Sequence, residues 1–380
     1  MRRKQTILSL NSNGEGEVTN DLENLDSFFK PNTRENDDLA ALLYTSGTTG
    51  KPKGAMLTQQ NLVSNARQLI SLWNMNSNDT LIHSIPIYHT HGLFVAINTS
   101  MMSGTTIRFI KNFNIDSVIE AFNYSTLMMG VPTFYTRLLK DKRLNKSLTQ
   151  NMKLFISGSA PLLTKTHQDF YNITGHRILE RYGMTETNMN TSNPFDGERK
   201  AGSVGKPIKD ISVRINKTKG DKDTVRNEVG MIEIKGPNVF KGYLNNPEKT
   251  QEAFTKDGYF ITGDIGYFDK DGYLFISGRN KDLIISGGFN VYPKEIEDVI
   301  NQHKSVIESA VFGIKDNDLG EVPIAAVVMI NDKTEIKDLL VYVENNLVKY
   351  KIPKNYVVLN ELPKNIMGKV QKNILKDKYS

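Results

Sequence analysis

Residues 44–54, YTSGTTGKPKG, constrain this chain more than any other stretch. Thr45, Ser46, Thr48 and Thr49 carry hydroxyls, and Gly47, Gly50 and Gly54 let backbone N–H groups turn toward one ligand. Lys51 and Lys53 add positive charge. Permissive backbone, donors and cations in one short segment make an anion nest. Apolar residues 39–44 lead in and 55–57 lead out, so the fold must bring one strand to the anion and take another away. A Walker loop is a different object. It needs four residues between its glycines and a Ser or Thr after its Lys. Here two residues separate Gly47 from Gly50, and Pro52 follows Lys51.

Beyond the loop, strand-like runs at 39–44, 81–85, 106–110, 127–130 and 153–157 alternate with helical patterns near 59–73, 115–123, 132–140 and 164–173. That alternation predicts a layered α/β unit over residues 38–200, preceded by a polar lead-in, residues 1–37. Residues 201–278 change character: short strands at 211–215, 230–235, 259–262 and 273–276 with Asp-Gly and Asn-Asn turns predict a small β-rich subdomain. Residues 283–380 carry strands near 283–285, 306–314, 322–330 and 355–360, a Gly287-Gly288 turn, a helix opened by Pro293 and another near 334–348. They predict a compact α+β domain.

Composition removes several classes. The 380 residues suffice for a large core and more than one domain, and no cysteine is present to supply a disulfide, a thiolate metal site or a Cys nucleophile. Net charge is +6 from 48 basic and 42 acidic residues, without an aromatic-interleaved basic stripe, which argues against nucleic acid as partner. No apolar run reaches the length of a membrane span, so stable membrane association is not expected. The basic start turns acidic and polar without an apolar core, which sets the cytoplasm as the default location.

Four further strings carry chemistry. Arg181-Tyr182-Gly183-Met184-Thr185-Glu186 offers a ring to stack on a base and a hard-cation ligand. Thr262-Gly263-Asp264 offers a carboxylate for a vicinal diol, and Gly278-Arg279-Asn280-Lys281-Asp282 an arginine. Pro363-Lys364-Asn365-Ile366-Met367-Gly368-Lys369 puts an ammonium at a loop tip. In order and content, these strings and the 44–54 loop resemble the adenylate-forming enzymes, which include acyl-CoA synthetases, luciferases and peptide-synthetase modules.

The resemblance implies that family's fold, a layered α/β large domain with a β-rich subdomain and a mobile C-terminal α+β domain, joined by a hinge at residues 279–282 centred on Lys281. It implies ATP, Mg²⁺ and coenzyme A as cofactor and co-substrates. The ATP and AMP contacts it implies are Thr45, Ser46, Gly47, Thr48, Thr49, Gly50, Lys51, Gly158, Ser159, Ala160, Arg181, Tyr182, Gly183, Asp264 and Arg279. Tyr182 would pack on adenine, Asp264 would take the ribose hydroxyls, Thr185 would contact phosphate, and Glu186 would hold Mg²⁺. Lys369 would approach the carboxylate and α-phosphate. Gly287 and Gly288 would line a thiol tunnel after the small domain rotates.

The acid is narrowed by cationic residues that a fatty-acid tunnel would not need: His89, His91, Arg181 and Arg199, with Ser159 beside them. A second carboxylate on the substrate must be paired when buried, and an arginine fork suits it. The strings PIYHTHGLFVA, FISGSAPLL, ERYGMTETNMNTSNPFDGER and GGFNVYPKEIE resemble the malonyl-CoA synthetases of this family. They imply malonate, with methylmalonate left open, and a distal-carboxylate clamp assigned first to Arg199 and then to Arg181, assisted by His89 or His91. Three other readings stand beside it: a ligase for another short-chain or aromatic acid, a catalytically impaired nucleotide-binding remnant, and a metal pair at His89 and His91 if both lie on one strand face. Family members carry more chain ahead of the loop, so apolar faces of residues 39–190 are expected to be partly uncovered.

Overall fold

Strands Thr80–His83, Leu127–Gly130, Leu154–Ser157 and Leu179–Met184 are short and mostly buried, and they lie side by side in the middle of a seven-stranded sheet. They are mutually parallel, as is the edge strand Thr106–Phe109. Near-continuous apolar runs such as LMMG and LFIS are what a parallel sheet covered on both faces demands. Asn188–Ser192 and Lys206–Pro207 extend the sheet antiparallel. This computed structural model describes residues 30–45, 52–216, 229–330, 336–365 and 367–380, with isolated positions between 9 and 28.

The helices that cover the sheet begin where local chemistry predicts. Thr58 and Asn61 close a capping box at the head of Gln59–Leu72, and Pro132 opens Pro132–Leu138. The Asn61 amide also donates to the carbonyls of Pro237 and Val239, both at 2.8 Å, tying the first helix to the β-rich region. Trp73 is fully buried, and its indole N–H donates to Ser192 Oγ at 3.0 Å.

The sequence reading put residues 39–44 into this layered unit; the structure separates them. Leu39–Thr45 pairs antiparallel with Lys53–Thr58, which pairs with Gly242–Tyr243, in a three-stranded sheet of its own. The connection at 46–52 is too short for the crossover that parallel pairing requires. Exposed apolar side chains gather on the edge strand of each sheet and near it: Leu39, Leu42 and Tyr44 on one, Phe109 on the other, and Met101 on the helix before it.

Ser212–Asn216, Gly230–Lys235, Phe260–Phe268 and Leu274–Arg279 form an antiparallel four-stranded sheet. The third strand runs well past the expected 262, because a register shift between Ile265 and Gly266 absorbs the glycine-rich stretch instead of ending the strand. The C-terminal sheet has five strands, with helices Pro293–Gln302, Ile336–Asn346 and Lys372–Tyr379. Two separate hydrophobic clusters form in this unit, one built around Ile296, Val311 and Leu339 and the other around Phe312, Leu362 and Leu375.

One contact ties the C-terminal unit to the centre of the molecule. Met367 is buried in the principal core, and a Cβ built on Gly368 would come within 2.9 Å of Thr133 Cγ2. The loop thus presses its backbone onto helix Pro132–Leu138, an approach that glycine permits.

Candidate active site

Asp264 and Arg279 face each other across neighbouring strands, and Arg279 Nε lies 2.7 Å from Asp264 Oδ1. From the parallel sheet, the Tyr182 hydroxyl donates to Asp264 Oδ2 at 2.5 Å. The Asp264 backbone N–H donates to Thr262 Oγ1 at 3.0 Å, and that hydroxyl donates to the Ile232 carbonyl at 2.8 Å. Burial, and then Asp264, pushes the Tyr182 phenol well up. Burial works against the Arg279 charge, but Asp264 leads the neighbours that outweigh it and hold the guanidinium above its ordinary value. Both Asp264 oxygens keep lone pairs for further donors. The residues assigned to adenine and ribose are therefore one bonded group.

Glu186 is buried, and the Tyr243 hydroxyl donates to its Oε1 at 3.1 Å. Burial raises the Glu186 carboxyl, while Tyr243, Arg279 and Lys53 pull it back. The Lys53 ammonium stands 5.1 Å from the centre of the Tyr243 ring. Sequence reasoning missed Tyr243; the Gly-Tyr pair before an Asn-Asn turn gave no hint of a partner 57 positions upstream. Thr45 ends its strand beside this region. Ser46, Gly47, Thr48, Thr49, Gly50 and Lys51 lie outside the described residues.

Arg181, Ser159, His89 and His91, expected around the acid, come together near the C-terminal ends of the parallel strands. Arg181 is buried, and its Nε and Nη2 find no hydrogen-bond partner among the described residues. Its guanidinium fills the space over Gly158, where a Cβ would lie 2.2 Å from Nη1. Ser159 follows at φ 71°, a left-handed conformation unusual outside glycine, and shares a 3.1 Å hydrogen bond with His91 Nδ1. The His91 backbone N–H donates to His89 Nδ1 at 3.1 Å. Burial and then Arg181 bring His89 down to about 4 and His91 well below its ordinary value. Burial lowers Arg181 to about 9, so at neutral pH it stays charged between neutral imidazoles. Two further residues belong to this group. His83 is buried, acts on His91 and has both ring nitrogens unpartnered among the described residues, and Tyr135 acts on Arg181.

Two expectations need correction. Arg199 is not brought to the histidines. Its Nε, Nη1 and Nη2 donate to the carbonyls of Pro194, Arg177 and Phe195 at 3.1, 2.7 and 2.7 Å, so its fork ties a loop together. Of the two arginines, Arg181 is the one that acts on His89 and His91. His89 and His91 do not share a strand face either: the strand ends at His83, and His91 opens a π-helical turn, His91–Ile97. Among the described residues no cluster of three or more His, Asp or Glu is arranged to hold a metal ion, nor is any helix long and apolar enough to cross a membrane.

Lys369 ends the loop that Met367 anchors. Its N–H donates to Asn365 Oδ1 at 3.0 Å. The residue is solvent-exposed, yet its ammonium lies where Arg279, Asp264, Asp282 and Lys281 all act on it; partial desolvation, then Arg279, shifts it down. Lys369 thus lies within electrostatic reach of Asp264 and Arg279, and of Lys281 in the Asn280–Asp282 turn. Gly287 and Gly288 do not join them. Both have positive φ in an exposed hairpin turn, and Gly287 N–H donates to Leu319 O within the C-terminal unit. Thr185, Gly183 and Ala160 are half-buried beside the residues already placed.

The parallel α/β sheet thus sets the buried Arg181 and the Asp264-bonded Tyr182 on one strand, Leu179–Met184, with the Met367–Lys369 loop seated on helix Pro132–Leu138. Residues 2–244 match the AMP-binding enzyme family, and residues 295–369 match the AMP-binding enzyme C-terminal domain. The chain belongs to the AMP-binding enzyme family and has the adenylate-forming fold. It is 37% identical over 399 residues to a malonate–CoA ligase of Arabidopsis thaliana, covering 97% of this chain and 65% of that protein. Among solved structures, ATP-bound MatB from Rhodopseudomonas palustris aligns with a TM-score of 0.95 at 49% identity, covering 98% of this chain and 75% of that one. Apo MatB aligns with a TM-score of 0.83 at the same identity, covering 98% of this chain and 74% of that one. The chain thus spans about two thirds of the length of its malonate–CoA ligase relative.

Proposed function

We propose that this chain carries the machinery of an ATP-dependent malonate–CoA ligase. One malonate carboxylate attacks the α-phosphorus of ATP, pyrophosphate leaves, and malonyl-adenylate remains. The coenzyme A thiol then attacks the acyl carbon and AMP leaves, giving malonyl-CoA. The observation that carries the reading is Arg181, a buried guanidinium whose Nε and Nη2 have no hydrogen-bond partner among the described residues, near two neutral imidazoles and the Ser159 hydroxyl. A cation in that setting suits a second, buried carboxylate and does not suit an alkyl tail or an aromatic ring.

The remaining roles follow from charge. Tyr182 and Asp264 hold the nucleoside, and Arg279 orients Asp264. Lys369 places positive charge where the carboxylate and the α-phosphate repel each other. A single carboxylate, Glu186, together with substrate phosphates suits magnesium, which favours few protein ligands. When bound, magnesium supplies charge neutralisation on the leaving pyrophosphate. Residues 283–380 would then pivot at Lys281, withdrawing Lys369 and bringing in Gly287 and Gly288 for the thiol step. The stronger likeness to ATP-bound than to apo MatB supports an arrangement suited to the first step.

The experiment is exchange of labelled pyrophosphate into ATP, run with malonate, methylmalonate, acetate and an aromatic acid. Exchange with malonate well above that with acetate is expected. Equal exchange with all acids would remove the clamp, and none with any would leave a nucleotide-binding remnant.

A further inference from the structure

The segment around residues 240–243 grips Glu186 twice. Phe240 N–H donates to the Glu186 carbonyl at 2.8 Å, and the Tyr243 hydroxyl donates to Glu186 Oε1 at 3.1 Å. We propose that Tyr243 is a positioning residue for the metal-bound nucleotide, its hydroxyl holding one Glu186 oxygen so that the other is presented to the metal. This rests on the reading of Glu186 as the magnesium ligand.

Tyr243 is built to hold still. Strand Gly242–Tyr243 pairs with Lys53–Thr58, placing Tyr243 opposite Ala55. Its backbone N–H donates to Thr250 Oγ1 at 2.9 Å, and that hydroxyl donates to the Asn246 carbonyl at 2.9 Å. The Phe240 ring meets its ring edge-on, with centroids 4.8 Å apart. A phenylalanine would fill this space equally well. The hydroxyl adds one thing, a fixed donor on a buried carboxylate.

A donor on one oxygen sets the plane of a carboxylate and leaves its second oxygen to a cation, which is how outer partners tune metal ligands. Lys53 adds a cation to the group. Its ammonium stands over the Tyr243 ring, and it attracts Glu186 from the first residue of the strand that leaves the 44–54 loop.

The test measures Mn²⁺ binding by the loss of its free electron-spin-resonance signal, using the whole chain and α,β-methylene-ATP, which cannot be adenylated. Tyr243→Phe is expected to weaken Mn²⁺ binding about tenfold, the lower range for loss of an outer partner. Affinity for the metal-free nucleotide should stay within about twofold, since a merely structural role would weaken both. In a Glu186→Gln background, Tyr243→Phe should add nothing, because the residue it acts through no longer binds metal. Unchanged Mn²⁺ affinity in Tyr243→Phe, or a full additional loss in the Glu186→Gln background, overturns the proposal. If Glu186→Gln itself leaves Mn²⁺ binding intact, the ligand assignment fails and takes the proposal with it. Should Tyr243→Phe expose Trp73, Thr250→Ala stands in by releasing the Tyr243 backbone without touching its ring; Mn²⁺ affinity equal to wild type there counts against the proposal.

Discussion

The two halves of the site treat polar groups in opposite ways. On the proposed nucleotide side, Tyr182, Asp264, Thr262 and Arg279 satisfy one another through short bonds. On the proposed acyl side, Arg181 Nε and Nη2, His91 Nε2 and both His83 nitrogens are buried without a partner among the described residues. A satisfied network is rigid and ready-made, and it asks little of its ligand. An unsatisfied one costs stability until something arrives to pair with it. The first suits a nucleotide shared by a whole family. The second suits selection, because only an anion of the right length relieves it.

The contrast breaks first at Arg181. Arg181→Leu should lower kcat/KM for malonate by roughly a thousandfold, the order expected when one partner of a buried charge pair is removed. It should leave thermal stability unchanged or higher, since an unpaired buried charge is gone. Gly158→Ala should act in the same direction by forcing the guanidinium aside, and steady-state kinetics with malonate and ATP varied separately checks both. Malonate kinetics that survive either change would falsify the selective role of this half.

Acid sharpens the comparison. Burial lowers His83, like His89, to about 4, whereas an unfolded histidine titrates near 6.5. Between these values the unfolded chain binds more protons, so stability falls as pH drops from about 6.5 toward 4. For a fully buried histidine the loss at pH 5 is about 2 kcal/mol. Thermal melts followed by Trp73 emission should show that decline, and His83→Gln should flatten it. A melting temperature flat from pH 7 to 5 in the wild type contradicts the unpaired state of these imidazoles.

The smallest effect is expected at Arg199, which behaves like the satisfied half. Arg199→Leu removes three hydrogen bonds to loop carbonyls and should cost about 1–3 kcal/mol of stability, with little change in malonate KM. A large rise in that KM would return the clamp to Arg199.

Much of this was legible in the residues alone. The periodic runs marked the strands at 127–130 and 230–235 and the helices opened by Pro132 and Pro293. Motif order pointed to the family, because turn chemistry, charge and glycine placement are local properties written directly in residue type. The antiparallel return of Lys53–Thr58, the bulge that lengthens Phe260–Phe268 and the π-turn at His91 were harder to read. Each depends on how a neighbour packs, and glycine or proline signals alone underdetermine it.

What the order of residues determined was the parts on offer: hydroxyls, glycines and lysines suited to an anion, a tyrosine and acids suited to a nucleotide, arginines suited to an acid, a lysine on a loop. What only the folded chain decided was direction and company. Two arginines eighteen positions apart offer the same guanidinium, yet strand Leu179–Met184 aims Arg181 into the core while backbone carbonyls capture Arg199. Tyr243 meets Glu186, and Met367 reaches the principal core, through contacts distant in sequence. Local propensity governs backbone shape over a few residues; which side chains meet across the molecule is settled by sheet order and register.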